Sequence, residues 1–242
     1  MTQTQLSAPE SLQDPIEGSS AGFNSETHST ATLIPQPRRR KVQVRAEIGI
    51  TVDRTASSKS FEIGIRECIR LILENVQKRA GEVVVYLQSH GDLDEGQEIV
   101  LHSDGVSVEQ ACKDLAGIEF AGGGDPAEHH LDAFEALALN VPWTSDPSVA
   151  RGVVIGFMTA DSKKATSGRS SSQIGRLMKH TGLTTLLVCE PDCPRLARFA
   201  DAAEAERIPI NNSPTADDLA PIVQQIAASI AQTLNRGDTT PM

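Results

Sequence analysis

Three oxygen-bearing side chains, Asp53, Thr55 and Ser57, stand at every second residue of ITVDRTASSKSF, residues 50–61. The apolar, strand-like run before them ends on a carboxylate, which packing alone does not require. Side chains at alternate positions of an extended segment point the same way, so the three oxygens can converge on one ion. A second apolar run, RGVVIGFMTAD, also closes on an aspartate, Asp161. Two carboxylates in one crevice repel each other and raise one pKa. A divalent cation removes that conflict, and oxygen-only ligands suit Mg2+, Mn2+ or Ca2+.

A third contributor is AGGGDPAEHHLDAFEAL. Its glycines permit tight turns and close backbone approach. Asp125 falls at an N-cap position, Pro126 at N1 and Glu128 at N3, a capping-box arrangement. Two readings of Asp125 stand side by side. As a cap it contributes about 1 kcal/mol; as a ligand it adds a third carboxylate to the ion.

The surrounding elements must bring these segments together. VQVRAEIGITVD reads as a strand. In FEIGIRECIRLILENVQKRAG, Ile65, Ile69, Ile72 and Val76 recur at helical spacing up to the stop at Gly81. EVVVYLQ and EIVLH are strands joined by SHGDLDEGQ, a link too short for a helical crossover, which places the third strand antiparallel at an edge. Beyond Asp161, SSQIGRLMKHTG is a helix, LTTLLVCE a strand, PRLARFADAAEA a helix, RIPI a short strand and TADDLAPIVQQIAASIAQTL the closing helix. Strands alternating with helices, with apolar inner strands, predict an α/β doubly wound, mostly parallel sheet covered on both faces. In the order 3-2-1-4-5-6, strands one and four flank the topological switch point. Asp53 and Asp161 would then share one crevice. Residues 1–42, rich in Ser, Thr, Gln, Pro and Glu, are expected to be disordered. Residues 43–235 form the domain, and 236–242 a flexible C-terminus.

DRTAS, 53–57, resembles the D-x-S/T-x-S motif of von Willebrand factor A (vWA) domains. GGGDP followed by a helix resembles their second metal loop, and MTAD, 158–161, their third. The three motifs occur in order beside the expected strands, over about residues 43–235, and look most like the intracellular bacterial type. The resemblance implies a Rossmann-like fold and a metal-ion-dependent adhesion site (MIDAS) built by Asp53, Thr55, Ser57, Asp125 and Asp161. Such a site holds Mg2+ and engages a partner protein's carboxylate through an open position. Asp125 stands where the family commonly has a threonine, so three formal negative charges face the ion instead of two. That implies firm metal binding and a neutral or water-mediated partner group. Ala56 replaces a common glycine, which stiffens the loop.

The formal net charge of −10 argues against a nucleic-acid partner, which selects for a basic face. Arg38 to Lys41 form one basic cluster, read as a solvated linker end. No apolar run approaches the roughly 18 residues of a membrane span, and the N-terminus lacks a leader pattern. A cytoplasmic protein is expected. Cys68, Cys112, Cys189 and Cys193 are expected as reduced thiols. His90, Asp92, Asp94 and Glu95 are expected in a solvated hairpin turn, and His129 and His130 at the surface. Ser170 to Ser172 form a loop and helix cap. Lys163 and Lys164 either steer an acidic ligand or are simply solvated, and Trp143 packs a loop. The leading function is a metal-dependent protein–protein interaction module in a multi-protein assembly. The alternative is a Mg2+-dependent hydrolase or phosphotransfer enzyme using the crevice aspartates. No G-x-x-x-x-G-K-[ST] or post-strand G-x-G-x-x-G supports a nucleotide site.

Overall fold

The computed structural model describes residues 44–123, 127–210 and 216–235, with the side chains of 216 and 217 left aside. The predicted N-terminal tail, the C-terminal end and Asp125 lie outside the described residues. Within them the chain runs β1 (Arg45–Asp53), α1 (Glu62–Gln77), β2 (Val83–His90), β3 (Val100–Val106), α2 (Val108–Ala116) and α3 (His130–Asn140). It continues through β4 (Ala150–Met158), α4 (Ser171–His180), β5 (Thr184–Cys189), α5 (Pro194–Ala203), β6 (Glu206–Pro209) and α6 (Ala216–Asn235).

The sheet order is β3-β2-β1-β4-β5-β6, as the alternation of strands and helices predicts. β1 pairs in parallel with β2 and with β4, setting Asp53 opposite His90 and Val52 opposite Phe157. β3 alone runs antiparallel, at the edge. The nine residues from β2 to β3 cannot make the crossover that a parallel return needs. β3 is longer than EIVLH and begins two residues later than expected.

Alternation along the strands assigns two cores. Ile48, Ile50 and Val52 of β1, with Val153, Ile155 and Phe157 of β4, pack under α1, α2 and α6. Val154 and Met158 of β4 and Leu187 of β5 pack under α3, α4 and α5, where Phe134 stacks on Phe199 at 4.5 Å. On this second face β1 presents Glu47, Gly49, Thr51 and Asp53 in place of apolar side chains. Burying such a stripe requires partners for each polar group. Those partners are Arg45 and Thr144 for Glu47, Gln88 and His90 of β2 for Thr51, and the loops after β1 and β4 for Asp53. Trp143 packs as expected: its Nε1 donates to the Leu137 carbonyl (2.8 Å), and its ring lies 5.4 Å from that of Tyr86. Among the described residues no helix is long and apolar enough to cross a membrane.

Candidate metal centre

Asp53 ends β1 with no exposed surface. Its Oδ1 accepts from the Thr55 N–H (2.9 Å) and the Thr55 hydroxyl (2.8 Å), and its Oδ2 from the Thr159 hydroxyl (2.8 Å). Thr55 Oγ1 lies 2.8 Å from Ser57 Oγ, and Thr159 Oγ1 2.7 Å from Ser58 Oγ. A hydroxyl has a single proton. Thr55 and Thr159 spend theirs on Asp53, so Ser57 donates to Thr55 and Ser58 donates to Thr159. Every hydroxyl proton therefore runs inward to one carboxylate. The lone pairs of exposed Ser57, and one of Thr55, are left for an electrophile. Burial pushes the Asp53 pKa up, but His130, His90 and the two Thr55 donors outweigh it and hold the carboxyl below its ordinary value.

The expected extended arrangement of 55–57 is corrected in detail. Thr55 is extended, but Ala56–Phe61 is a 3-10 turn. The hydroxyls of Thr55 and Ser57 nevertheless meet, because the turn curls the second back toward the first.

The three loops are tied by main-chain bonds. Arg54 N–H donates to the His90 carbonyl (2.9 Å), Ala56 N–H to that of Gly122 (2.7 Å) and Ala121 N–H to that of Arg54 (2.9 Å). Glu128 and Ser162 form a parallel bridge, with Glu128 N–H on the Asp161 carbonyl (3.2 Å) and Lys163 N–H on the Glu128 carbonyl (2.7 Å). Gly123 has φ +83°, and a Cβ there would come within 2.9 Å of Thr55 Cβ and 3.1 Å of Glu128 Oε1. Only glycine fits that approach. The segments flanking Asp125 on both sides thus lie against the first and third loops.

Asp161 sits past the end of β4 on the same rim as Asp53; both charges act on buried His130. Its carboxylate, however, accepts from the backbone N–H of Arg195 (3.1 and 3.2 Å) and of Leu196 (3.1 Å), the first turn of α5. From this third loop it is the Thr159 hydroxyl that meets Asp53. The sequence reading missed Thr159, although its signal, a hydroxyl just beyond the fourth strand, stands in MTAD.

Glu128 does not stand at N3 of the helix as expected, and the Asp125 and Pro126 part of the proposed capping box lies outside the described residues. α3 begins at His130 with His129 at the cap position, so Glu128 precedes the helix and sits buried at the bridge to Ser162. His129 and His130 are both buried rather than at the surface. His130 Nδ1 lies 2.7 Å from His90 Nε2, and His90 Nδ1 lies 3.0 Å from Thr51 Oγ1. Gln88 Nε2 donates to Thr51 Oγ1 (3.1 Å) and to the Ala133 carbonyl (2.7 Å). Burial, then the neighbouring His130, pushes the His90 pKa down to about 3. Burial also lowers that of His130 against the upward pull of Asp53, the Ala160 backbone and Asp161. Together the two rings occupy the polar stripe under the crevice.

The hairpin segment is only partly solvated. Asp92 is buried beside His129, with Nδ1 at 3.3 Å from its Oδ1, whereas Asp94 is exposed. Ligand atoms of Asp92, Asp94 and His129 lie within 4.8 Å of one another, a second group able to hold a metal. The cation found there is the Lys163 ammonium, 2.8 Å from both Asp92 oxygens and 2.9 Å from Asp94. Lys163 is thus neither free in solvent nor a steering charge, while Lys164 is exposed. Cys189 and Cys193 are buried free thiols, and burial pushes the Cys193 pKa up to about 12.

The donor set of the first crevice fits a hard divalent ion: a carboxylate held ionised and two adjacent hydroxyl oxygens with lone pairs to spare. No protein-family model and no curated protein matches the chain. Solved structures do. The VWA domain of SpRpn10 superposes with a TM-score of 0.59 at 13% identity, over 76% of this chain and 95% of that one. Proximal thread matrix protein 1 from mussel byssus superposes at 0.55 and 14% identity over 78% of this chain. A structure of the same byssus protein with a zinc-occupied MIDAS motif gives 0.57 at 13%. The match spans 46% of the byssus chain. Sheet order, crevice position and these superpositions agree: the described chain folds as a von Willebrand factor A-type domain.

Proposed function

We propose that the protein is a metal-dependent protein–protein interaction module, with Mg2+, or Mn2+ or Ca2+, held at the rim between β1 and β4. The carrying observation is the buried Asp53 carboxylate, on which the hydroxyl protons converge while the oxygens of Thr55 and Ser57 are left for an ion. Asp53, Thr55, Ser57, Asp125 and Asp161 form the proposed ligand set. Asp161 adds its charge to the rim while capping α5. With three carboxylates the ion keeps little positive charge, so the partner's contact at the crevice is a neutral or water-bridged group of another protein. The vWA-type fold and the zinc-occupied MIDAS of a structural neighbour support the reading. A cytoplasmic multi-protein assembly is the proposed setting.

Calorimetric titration with MgCl2 and MnCl2 tests the site. The wild type is expected to bind with one-site stoichiometry, and Asp53→Asn and Ser57→Ala to bind at least tenfold more weakly. Unchanged affinity in both variants refutes the crevice as the metal site. An Asp125→Thr variant that binds as well or better removes Asp125 from the ligand set. Capture of a partner from native lysate by the wild type, lost with EDTA and with Asp53→Asn, supports the interaction role. Turnover of phosphoesters lost in Asp53→Asn would favour an enzyme instead.

A further inference from the structure

A cavity of about 420 Å3 opens beside the metal rim, between the first turns of α4 and α5 and the loop after Asp161. Four basic side chains from two segments line it: Lys164 and Arg169 of the loop before α4, and Arg195 and Arg198 of α5. The chain carries 22 basic against 32 acidic residues, so such a concentration runs against its overall charge. Arg169 pairs with Glu135. Arg195 gives one N–H to the Ser162 carbonyl (2.9 Å), which carries no formal charge. Lys164, Arg195 and Arg198 make no ion pair with a carboxylate among the described residues. Three cations sharing one concavity repel each other unless an anion joins them.

The wall is held in place independently of any ligand. Thr166 binds Asp132 through its N–H (2.8 Å) and its hydroxyl, and Ser167 Oγ donates to Glu135 (2.6 Å). These bonds fasten the loop to α3. Ser170 and Gln173 complete a capping box that fixes the start of α4, with Ser171 and Ser172 on the cavity wall.

We propose that this cavity binds a phosphoryl group. A carboxylate carries one charge and is matched by one guanidinium. Three cations without an ion pair among the described residues, two of them guanidiniums with several N–H donors each, match a dianion with three acceptor oxygens, while the nearby Asp161 carboxylate is taken up by the amides of α5. Its place beside the metal rim lets one ligand or partner engage both. The site is independent of the metal, and its test is run without one.

Backbone amide NMR shifts, in EDTA and low salt, follow titration with inorganic phosphate, a phosphoserine peptide, adenosine monophosphate and acetate. Phosphate is expected to shift Ser171 and Ser172 with a dissociation constant below about 10 mM, and acetate to bind at least about fivefold more weakly. Arg198→Gln and Lys164→Gln, both exposed and outside the wall's bonding, should each weaken phosphate at least about fivefold with unchanged melting temperature. A tighter phosphoserine peptide assigns the group to a phosphorylated protein, and a tighter nucleotide to a small molecule. No binding, equal binding of acetate, or full affinity in both variants overturns the proposal.

Discussion

Replacing Asp53 separates its hydrogen-bonding role from its charge. In Asp53→Ala three donors lose their acceptor: Thr55 N–H, Thr55 Oγ1 and Thr159 Oγ1. Thr159 is half-buried and can turn its proton to water, and the Thr55 hydroxyl can turn its proton to exposed Ser57, 2.8 Å away, but the Thr55 N–H is fully buried. One orphaned buried donor gives a loss of about 2 kcal/mol. In Asp53→Asn the amide oxygen still accepts from both Thr55 donors. The amide NH2 faces Thr159 Oγ1, which accepts from it and from Ser58 and sends its own proton outward. All bonds survive, and the loss is that of charge assistance, about 1 kcal/mol. The desolvation of the carboxylate is relieved equally in both variants and does not affect the gap of about 1 kcal/mol. Urea unfolding followed by circular dichroism, in EDTA at pH 7.5, measures it. Repeating it at a Mg2+ concentration 100 times the wild-type dissociation constant should raise wild-type stability by about 2.7 kcal/mol and that of either variant by about 1.4 kcal/mol or less. An alanine variant as stable as the asparagine variant refutes the hydrogen-bond assignment. Equal Mg2+ stabilisation of Asp53→Asn and wild type refutes the metal assignment.

Asp161→Ala strips three acceptor contacts from the start of α5 and should cost about 1–2 kcal/mol in urea unfolding, with Asp161→Asn intermediate; an unchanged midpoint in the alanine variant counts against the cap. Gly175 lets α4 and α5 touch: a Cβ there would press on the Phe199 carbonyl and come within 2.9 Å of Ala202 Cβ and Ala203 N. Gly175→Ala should therefore lower stability by about 2 kcal/mol or more despite its better helix propensity, seen as a fall in melting temperature. His90 has a folded-state pKa of about 3 against an ordinary value near 6.5. The unfolded chain binds the proton first, so this contribution is complete above about pH 6.5 and is lost as pH falls toward 3, by up to about 1.4 kcal/mol per pH unit. Stability between pH 7.5 and 5 should fall less steeply in His90→Gln, and parallel slopes would exclude the buried ring as the cause.

Periodicity and spacing carried most of the architecture. Alternating strands and helices pointed to a doubly wound sheet, whose common order is 3-2-1-4-5-6, and SHGDLDEGQ is too short to return a parallel strand, which put β3 antiparallel at the edge. Ile65, Ile69, Ile72 and Val76 mark the buried face of α1 through the fixed angular step of a helix. Misreadings cluster where polar residues are buried. His90, Asp92, His129 and His130 look solvated in one dimension, since a buried polar group differs from an exposed one only by partners contributed from elsewhere in the chain. His90 is satisfied by Thr51, 39 residues away, and by His130, 40 residues away.

By itself, then, the sequence determined the layers, the antiparallel edge and the strand ends that carry Asp53 and Asp161, because these follow from local pattern and connection length. Only the tertiary structure decided how each carboxylate is used. Asp53 gathers the hydroxyls of Thr55 and Thr159, and Asp161 turns to the amides of α5. A side chain's direction at the end of a strand is set by the donors that the fold delivers to it, and those donors come from residues up to 106 positions away.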